Sequence, residues 1–140
     1  MKISTKCRYG LRALLDLAKN GQTGPIKRKD ISRRESIPMP YLENILVTLR
    51  KVGIISTARG ASGGYKLKKK PGELKLLTVV EALEGSLAPL ECVDNPASCK
   101  RIKGCESHLL WKKLFEAQKN VLENMTLDDL VNLGKAEWVI

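Results

Sequence analysis

The sequence predicts a mainly α-helical fold with one small β-hairpin, and three observations carry that prediction. Apolar residues recur at helical spacing through most of the first fifty positions. A β-branched run, a glycine-rich turn and a second alternating run then follow in immediate succession. Further on, residues 106–124 carry two apolar stripes, each at helical spacing. With 140 residues and 43% hydrophobic content, the chain can bury one modest core and extend a helix beyond it, but cannot build two independent domains. The expected organisation is a compact unit over residues 1–85, a cysteine-containing loop over 86–105, and a long helix with a short final helix over 106–140.

The first helix is expected from Ser4 or Thr5 to about Lys19, because Cys7, Leu11, Leu14, Leu15 and Ala18 share one face and Asn20-Gly21 supplies a stop. A short, strongly basic second helix around Lys27 to Arg34 contributes Ile31 to the core. Ile37-Pro38-Met39-Pro40 breaks it and sets Pro40 in the first turn of a third helix, where its missing N–H costs least. That helix runs to about Val52. Leu42, Ile45, Leu46 and Leu49 form its buried stripe, which leaves Tyr41, Glu43, Asn44, Thr48, Arg50 and Lys51 for the outer face. Two helices joined by a short turn, the second presenting polar groups suited to base edges, make a helix-turn-helix candidate.

The next segment strengthens that reading. Ile54 to Arg59 has strand character, Gly60-Ala61-Ser62-Gly63-Gly64 is a turn, and Tyr65 to Lys68 resumes a strand. A basic hairpin directly after a recognition helix is a winged helix-turn-helix. Arg59 at its tip is placed to enter a minor groove, with Lys66 and Lys68 near phosphate. The glycine cluster lacks the G-x-x-x-x-G-K-[ST] order of a nucleotide-cradling loop. Lys6, Ser62 and Tyr65 complete the candidate DNA contacts. After Pro71-Gly72, the T-x-x-E spacing of Thr78 and Glu81 suggests a capped helix ending at Gly85. A loop follows to about Lys103, and then the long helix from Glu106 to Asn124.

That helix carries more apolar surface than one small core can cover: Leu110, Leu114, Ala117 and Val121 on one side, Trp111, Phe115, Leu122 and Met125 on another. A homodimer is expected to cover the surplus, with Leu110, Leu114, Phe115, Gln118, Val121 and Leu122 at its interface. Thr126 is expected to cap a last helix from Leu127 to Leu133, stopped by Gly134.

Charge sorts the chain into halves. Residues 1–75 hold 18 Lys and Arg against 5 Asp and Glu, whereas residues 76–140 hold 7 against 10. The resulting +13 and −3 confine the phosphate-neutralising footprint to the first half. Aromatic residues, at 4%, are too few for the stacking platforms of single-strand binders, so duplex DNA is the favoured partner. Arg8, Arg12 and Asp16 interrupt the first apolar stretch, which therefore resembles neither a secretion signal nor a membrane span of ~20 apolar residues. A cytoplasmic, membrane-free location is expected, and in that reducing compartment clustered thiols point to metal or redox chemistry rather than structural disulfides.

Cys92, Cys99, Cys105 and His108 form the pattern C-x6-C-x5-C-x2-H and include the chain's only histidine. Three thiolates on so short a loop repel one another unless a cation pairs with them. Spacings wider than the C-x2-4-C knuckle favour ligands spread over two irons, although zinc and a thiol-disulfide switch remain open on spacing alone. An enzyme with Cys105 as nucleophile and His108 as base is disfavoured, since neither an oxyanion-forming glycine motif nor a third orienting group accompanies them. Cys7, on the buried stripe of the first helix, reads as a small core residue.

Taken together, Tyr9-Gly10-Leu11-Arg12-Ala13-Leu14, Ile37-Pro38-Met39-Pro40-Tyr41-Leu42-Glu43, Arg59-Gly60-Ala61-Ser62-Gly63-Gly64-Tyr65 and the cysteine loop resemble the IscR-type family of bacterial winged-helix transcription regulators. The likeness spans essentially the whole chain and lies nearest the members that govern iron-sulfur cluster assembly. It implies a non-enzymatic homodimer on an imperfect palindromic operator, with a [2Fe-2S] cluster on Cys92, Cys99, Cys105 and His108. It also implies that Glu43, Asn44 and Arg59 face bases or the minor groove. Two departures stand out: the first cysteine spacing is one residue longer than in the family pattern, and Asn44 replaces a longer Gln. Relatives that sense nitric oxide take a fourth ligand from a carboxylate early in the first helix. Arg8 occupies that region here, which favours His108.

Overall fold

The computed structural model describes residues 2–137, so Met1 and the last three residues of the 106–140 segment lie outside the described residues. Helix α1 spans Thr5–Asn20, α2 Arg28–Glu35 and α3 Met39–Lys51. Strands β1 (Ile55–Ala58) and β2 (Gly64–Leu67) pair antiparallel, with Ile55 opposite Leu67 and Thr57 opposite Tyr65. Helices α4 (Leu76–Glu84), α5 (Glu91–Asp94), α6 (Glu106–Asn124) and α7 (Leu127–Glu137) follow. Mainly helical structure with one hairpin matches the expected fold class.

Local chemistry sets the helix ends. Ser4 caps α1, its Oγ accepting the Cys7 N–H at 3.0 Å, and this satisfies a donor that the helix cannot pair internally. Between α2 and α3 the turn is closed by Ser36 at φ 51 and by the Ser32 hydroxyl, which donates to the Ile37 carbonyl at 2.7 Å. Pro40 sits in the first turn of α3, as expected.

The core joins α1, α3, α4 and α7 and is continuous. Leu14, Leu42, Leu49 and Val79 are fully buried, and the expected stripe of α3 is 0–1% exposed throughout. Gly10 lets α1 approach α4, because a Cβ there would lie 2.5 Å from a Leu83 methyl carbon. The core also contains one ion pair. Asp16, 1% exposed, accepts from Arg34 Nε at 2.6 Å and from its second guanidinium nitrogen at 2.8 Å, while the Asn20 amide adds a bond at 3.1 Å. This bidentate geometry ties α1 to the end of α2.

Two helix ends differ from expectation. Helix α4 begins at Leu76, and Thr78 lies exposed within it rather than capping it. The start is fixed instead by a backbone bridge: Leu76 N–H donates to the Met125 carbonyl and Leu127 N–H to the Leu74 carbonyl, each at 2.9 Å. Reciprocal capping occurs at α7, where the Thr126 hydroxyl accepts the Asp129 N–H at 3.1 Å and the Asp129 carboxylate accepts the Thr126 N–H at 2.8 Å. The Thr126 N–H and the Thr126 hydroxyl, both donating to the Asp129 carboxylate at 2.8 Å, hold its carboxyl below its ordinary range. Helix α7 also runs through Gly134 to Glu137. An interior glycine costs only about 1 kcal/mol, and Leu127 and Val131, buried against the core, offset it. The final helix therefore belongs to the core of the N-terminal unit.

Candidate functional site

Two regions carry the predicted functional residues. The first is formed by α3, the hairpin and the start of α2. On α3, Tyr41, Asn44 and Arg50 are exposed, and Glu43 pairs with Arg28 of α2 at 3.0 Å. Tyr41 meets Tyr9 edge-to-face at 5.9 Å between ring centroids, and Arg12 lies 5.5 Å from the Tyr9 centroid. The Arg12 guanidinium in turn reaches Glu35, so the N-terminal end of α3 is braced against both preceding helices.

The hairpin is anchored as well as folded. Ile26 and Tyr65 exchange backbone bonds at 2.7 and 2.8 Å, so the segment before α2 pairs with β2 on the side away from β1. That pairing requires glycine at position 64, where a Cβ would lie 2.4 Å from the Ile26 carbonyl oxygen. Tyr65 itself is half-buried and packed on the core. Arg59, Ser62, Lys66 and Lys68 remain exposed, and Lys6 is half-buried in the first turn of α1. A shallow groove joins Ala61 to Gly63 of the turn with Lys27, just before α2, and Asp30 of α2. With Arg28 reaching Glu43, a polar surface runs from the wing tip across α2 to α3. Arg28 and the exposed Val47 are residues of this surface that the sequence reading omitted. Val47 was legible as the position one turn beyond Asn44.

The second region is the cysteine loop. Cys92 lies on α5, Cys99 follows a 3-10 turn over Pro96–Ser98, and Cys105 precedes α6. All three are free, half-buried thiols, as opposed to Cys7, which is enclosed in the core. Burial and the nearby Glu84 carboxylate push the Cys7 thiol up to about 11. Cys105 is shifted the other way: the Ser107 hydroxyl, 3.3 Å from its sulfur, the His108 backbone and the Arg101 charge favour its thiolate. His108 Nδ1 is buried without a hydrogen-bond partner.

Among the described residues, no three His, Cys, Asp or Glu side chains converge at metal-holding separation. The donor chemistry nevertheless fits an iron-sulfur cluster: three reduced thiols, one already biased to thiolate, and an imidazole nitrogen that burial leaves unpaired. Short hydrogen-bonded turns such as Ile102 N–H to Cys99 O at 3.3 Å are all that hold the loop between Cys99 and Cys105, so drawing the ligands together disturbs no packed core.

Helix α6 divides its apolar residues between two faces. Trp111, Phe115, Gln118 and Leu122 are half-buried, and Leu122 packs against the core of its own chain. Phe115 carries the Lys119 ammonium 5.6 Å from its ring centroid. Leu109, Leu110, Leu114 and Val121 are 59, 53, 39 and 56% exposed. No helix among the described residues is long and apolar enough to cross a membrane.

Comparison with known proteins agrees with this arrangement. The family described as "Rrf2: Iron-dependent Transcriptional regulator" matches residues 3–133. The HTH-type transcriptional regulator IscR of Klebsiella pneumoniae is 39% identical over 132 residues, covering 94% of this chain and 80% of the relative. The structure of T. potens IscR superposes with a TM-score of 0.80 at 32% identity, over 100% of this chain and 93% of the other. CymR, the global cysteine regulator of B. subtilis, superposes with a TM-score of 0.77 at 35% identity, over 94 and 97%.

Proposed function

Because the chain belongs to the Rrf2 family of DNA-binding transcription regulators, we propose that it acts as a cytoplasmic homodimer whose affinity for an imperfect palindromic operator is set at the cysteine loop by a [2Fe-2S] cluster. The observation that carries this reading is the pairing of a braced helix α3 and anchored wing with a weakly held loop of three thiols and one unpaired imidazole.

On DNA, α3 enters the major groove with Tyr41, Glu43 and Asn44 toward it and Arg50 toward phosphate. Arg59 reaches the adjoining minor groove, with Ser62 and Lys66 on the backbone. Tyr65 serves through the main chain, because its pairing with Ile26 fixes the angle of the wing. Arg59→Ala is expected to weaken specific binding by about 1–3 kcal/mol in a duplex titration. An equal loss on random duplex would reduce Arg59 to a phosphate contact.

Leu110, Leu114 and Val121 form the exposed face that a second subunit covers, with Phe115 and Gln118 at its margin. Leu114→Glu is expected to yield monomers by sedimentation and to lower operator affinity sharply, since each half-site then binds without its linked neighbour. A native mass of one subunit for the unaltered protein contradicts the dimer.

Cys92, Cys99, Cys105 and His108 would hold the cluster. When bound, it supplies a one-electron redox centre whose loss or oxidation changes the state of the loop. Helix α5 carries Cys92 and the first turn of α6 carries His108, so the loop's conformation bears on how α6 is presented to its partner.

A second reading is a thiol switch, favoured by the thiolate-biased Cys105 among three free, half-buried thiols. Two thiols would then join as a disulfide, giving up two electrons and two protons to a peroxide that leaves as water. Iron and sulfide assays on anaerobically prepared protein separate the readings: a visible charge-transfer spectrum supports the cluster, and iron-free protein with a peroxide-sensitive operator affinity supports the switch.

A further inference from the structure

Helix α3 completes its core contacts with Leu42, Ile45, Leu46 and Leu49, yet Val47 stands on the opposite face at 42% exposure. A lone exposed apolar residue is ordinary on a protein surface. This one is not placed at random. It lies one turn after Glu43 and Asn44 and one turn before Arg50 and Lys51, within the face that the proposed function assigns to DNA. β-Branched residues are also indifferent helix formers, and Val47 gains no burial in its own core to offset that.

Its neighbours narrow what covers it. The Glu43 carboxylate is paired with Arg28, and the Thr48 hydroxyl donates to the Asn44 carbonyl at 3.1 Å. Asn44 is left to offer an amide and Val47 two methyl groups. The major groove has one apolar edge group, the C5 methyl of thymine, and one base edge that an amide reads bidentately, adenine N6 and N7. Three helix residues advance about 4.5 Å along the axis, comparable with the ~3.4 Å between base pairs. Flanking Arg50 and Lys51 supply the phosphate contacts that hold this stretch of helix in the groove.

We propose that Val47 is a specificity-determining residue that packs on a thymine methyl beside the adenine read by Asn44, so that each operator half-site carries a required A·T step. The inference rests on the reading of α3 as the recognition helix and adds to it an apolar contact.

The probe is a duplex selected by the full-length protein from a random-sequence pool. Each thymine is replaced in turn by deoxyuridine, which removes the C5 methyl and leaves base pairing intact. One thymine per half-site is expected at which the replacement weakens binding about fourfold, the value of one buried methyl-sized group. Val47→Ser should bind the thymine and deoxyuridine duplexes equally while keeping its affinity for random duplex. Absence of any sensitive thymine, or sensitivity undiminished in Val47→Ser, overturns the proposal. Asn44→Ala distinguishes the two levels. If it erases discrimination while Val47→Ser changes nothing, Val47 alone is misassigned; if neither variant alters discrimination, both base contacts assigned to Asn44 and Val47 are overturned.

Discussion

Arg34→Ala is expected to destabilise the fold by about 3–5 kcal/mol, because it strands the Asp16 carboxylate, 1% exposed, in the core without its countercharge. Asn20 supplies only one neutral hydrogen bond in compensation. The reverse change should cost less. In Asp16→Asn the orphaned guanidinium belongs to a side chain already 34% exposed, which reaches water by a small rearrangement. The combination Asp16→Asn with Arg34→Met should recover part of the Arg34→Ala loss, since both charges are then gone. Denaturant titrations of the four proteins measure this asymmetry. Against a domain stability of about 5–15 kcal/mol, the Arg34→Ala loss is large enough to leave a substantial unfolded fraction in the least stable case. Equal, sub-kilocalorie losses for both single variants would show that the pair does not hold α1 to α2.

Cys92→Ala, Cys99→Ala and Cys105→Ala are each expected to abolish stable cluster retention, whereas Cys7→Ala retains it. The distinction follows from placement. Cys7 is sealed in the core, apart from the loop, with its thiol pushed up to about 11, so at neutral pH it is a protonated, enclosed thiol that a cluster on the loop does not reach. His108→Ala should give a labile cluster, because three thiolates still anchor it. Iron per subunit and visible absorbance after gel filtration read each case. Alkylation of cluster-free protein adds a check independent of metal: Cys105, favoured as thiolate by Ser107, His108 and Arg101, should react ahead of Cys7 as pH is raised. Unchanged iron in Cys92→Ala, or faster labelling of Cys7, removes the basis for this ligand set.

The legible parts of this structure are those governed by local periodicity. The buried stripe of α3, the hairpin and the ends of α6 at Glu106 and Asn124 all agree with spacing and turn residues. Where long-range contacts decide, sequence patterns mislead. Thr78 has capping-box spacing, but the bridge between the residues around Lys75 and Thr126 sets the start of α4 instead. Gly134 looks like a stop, but burial of Leu127 and Val131 carries α7 past it.

The site divides in the same way. Composition and spacing single out the basic half and the four candidate ligands, but not which face of α6 turns inward; Leu122 is half-buried against its own core. The Asp16–Arg34 pair left no signature, because a lone acid on a helix and an Arg in a basic run are individually unremarkable. Val47 was passed over because an apolar residue near a buried stripe is ordinarily counted with the core. Its 42% exposure sets it on the other face, one turn beyond Asn44.

The state of the cysteine loop is expected to set operator affinity. Thermodynamic linkage limits this effect to the cluster's differential affinity for the DNA-competent and incompetent arrangements, typically about 1–3 kcal/mol. The direct test titrates one selected operator duplex with cluster-loaded protein, cluster-free protein and the three cysteine variants at fixed salt, repeated over a series of half-site spacings. Loaded and free protein should differ by roughly 5- to 150-fold at one or more spacings, with all three variants following the cluster-free isotherm. Indistinguishable isotherms for loaded and free protein at every spacing would contradict it.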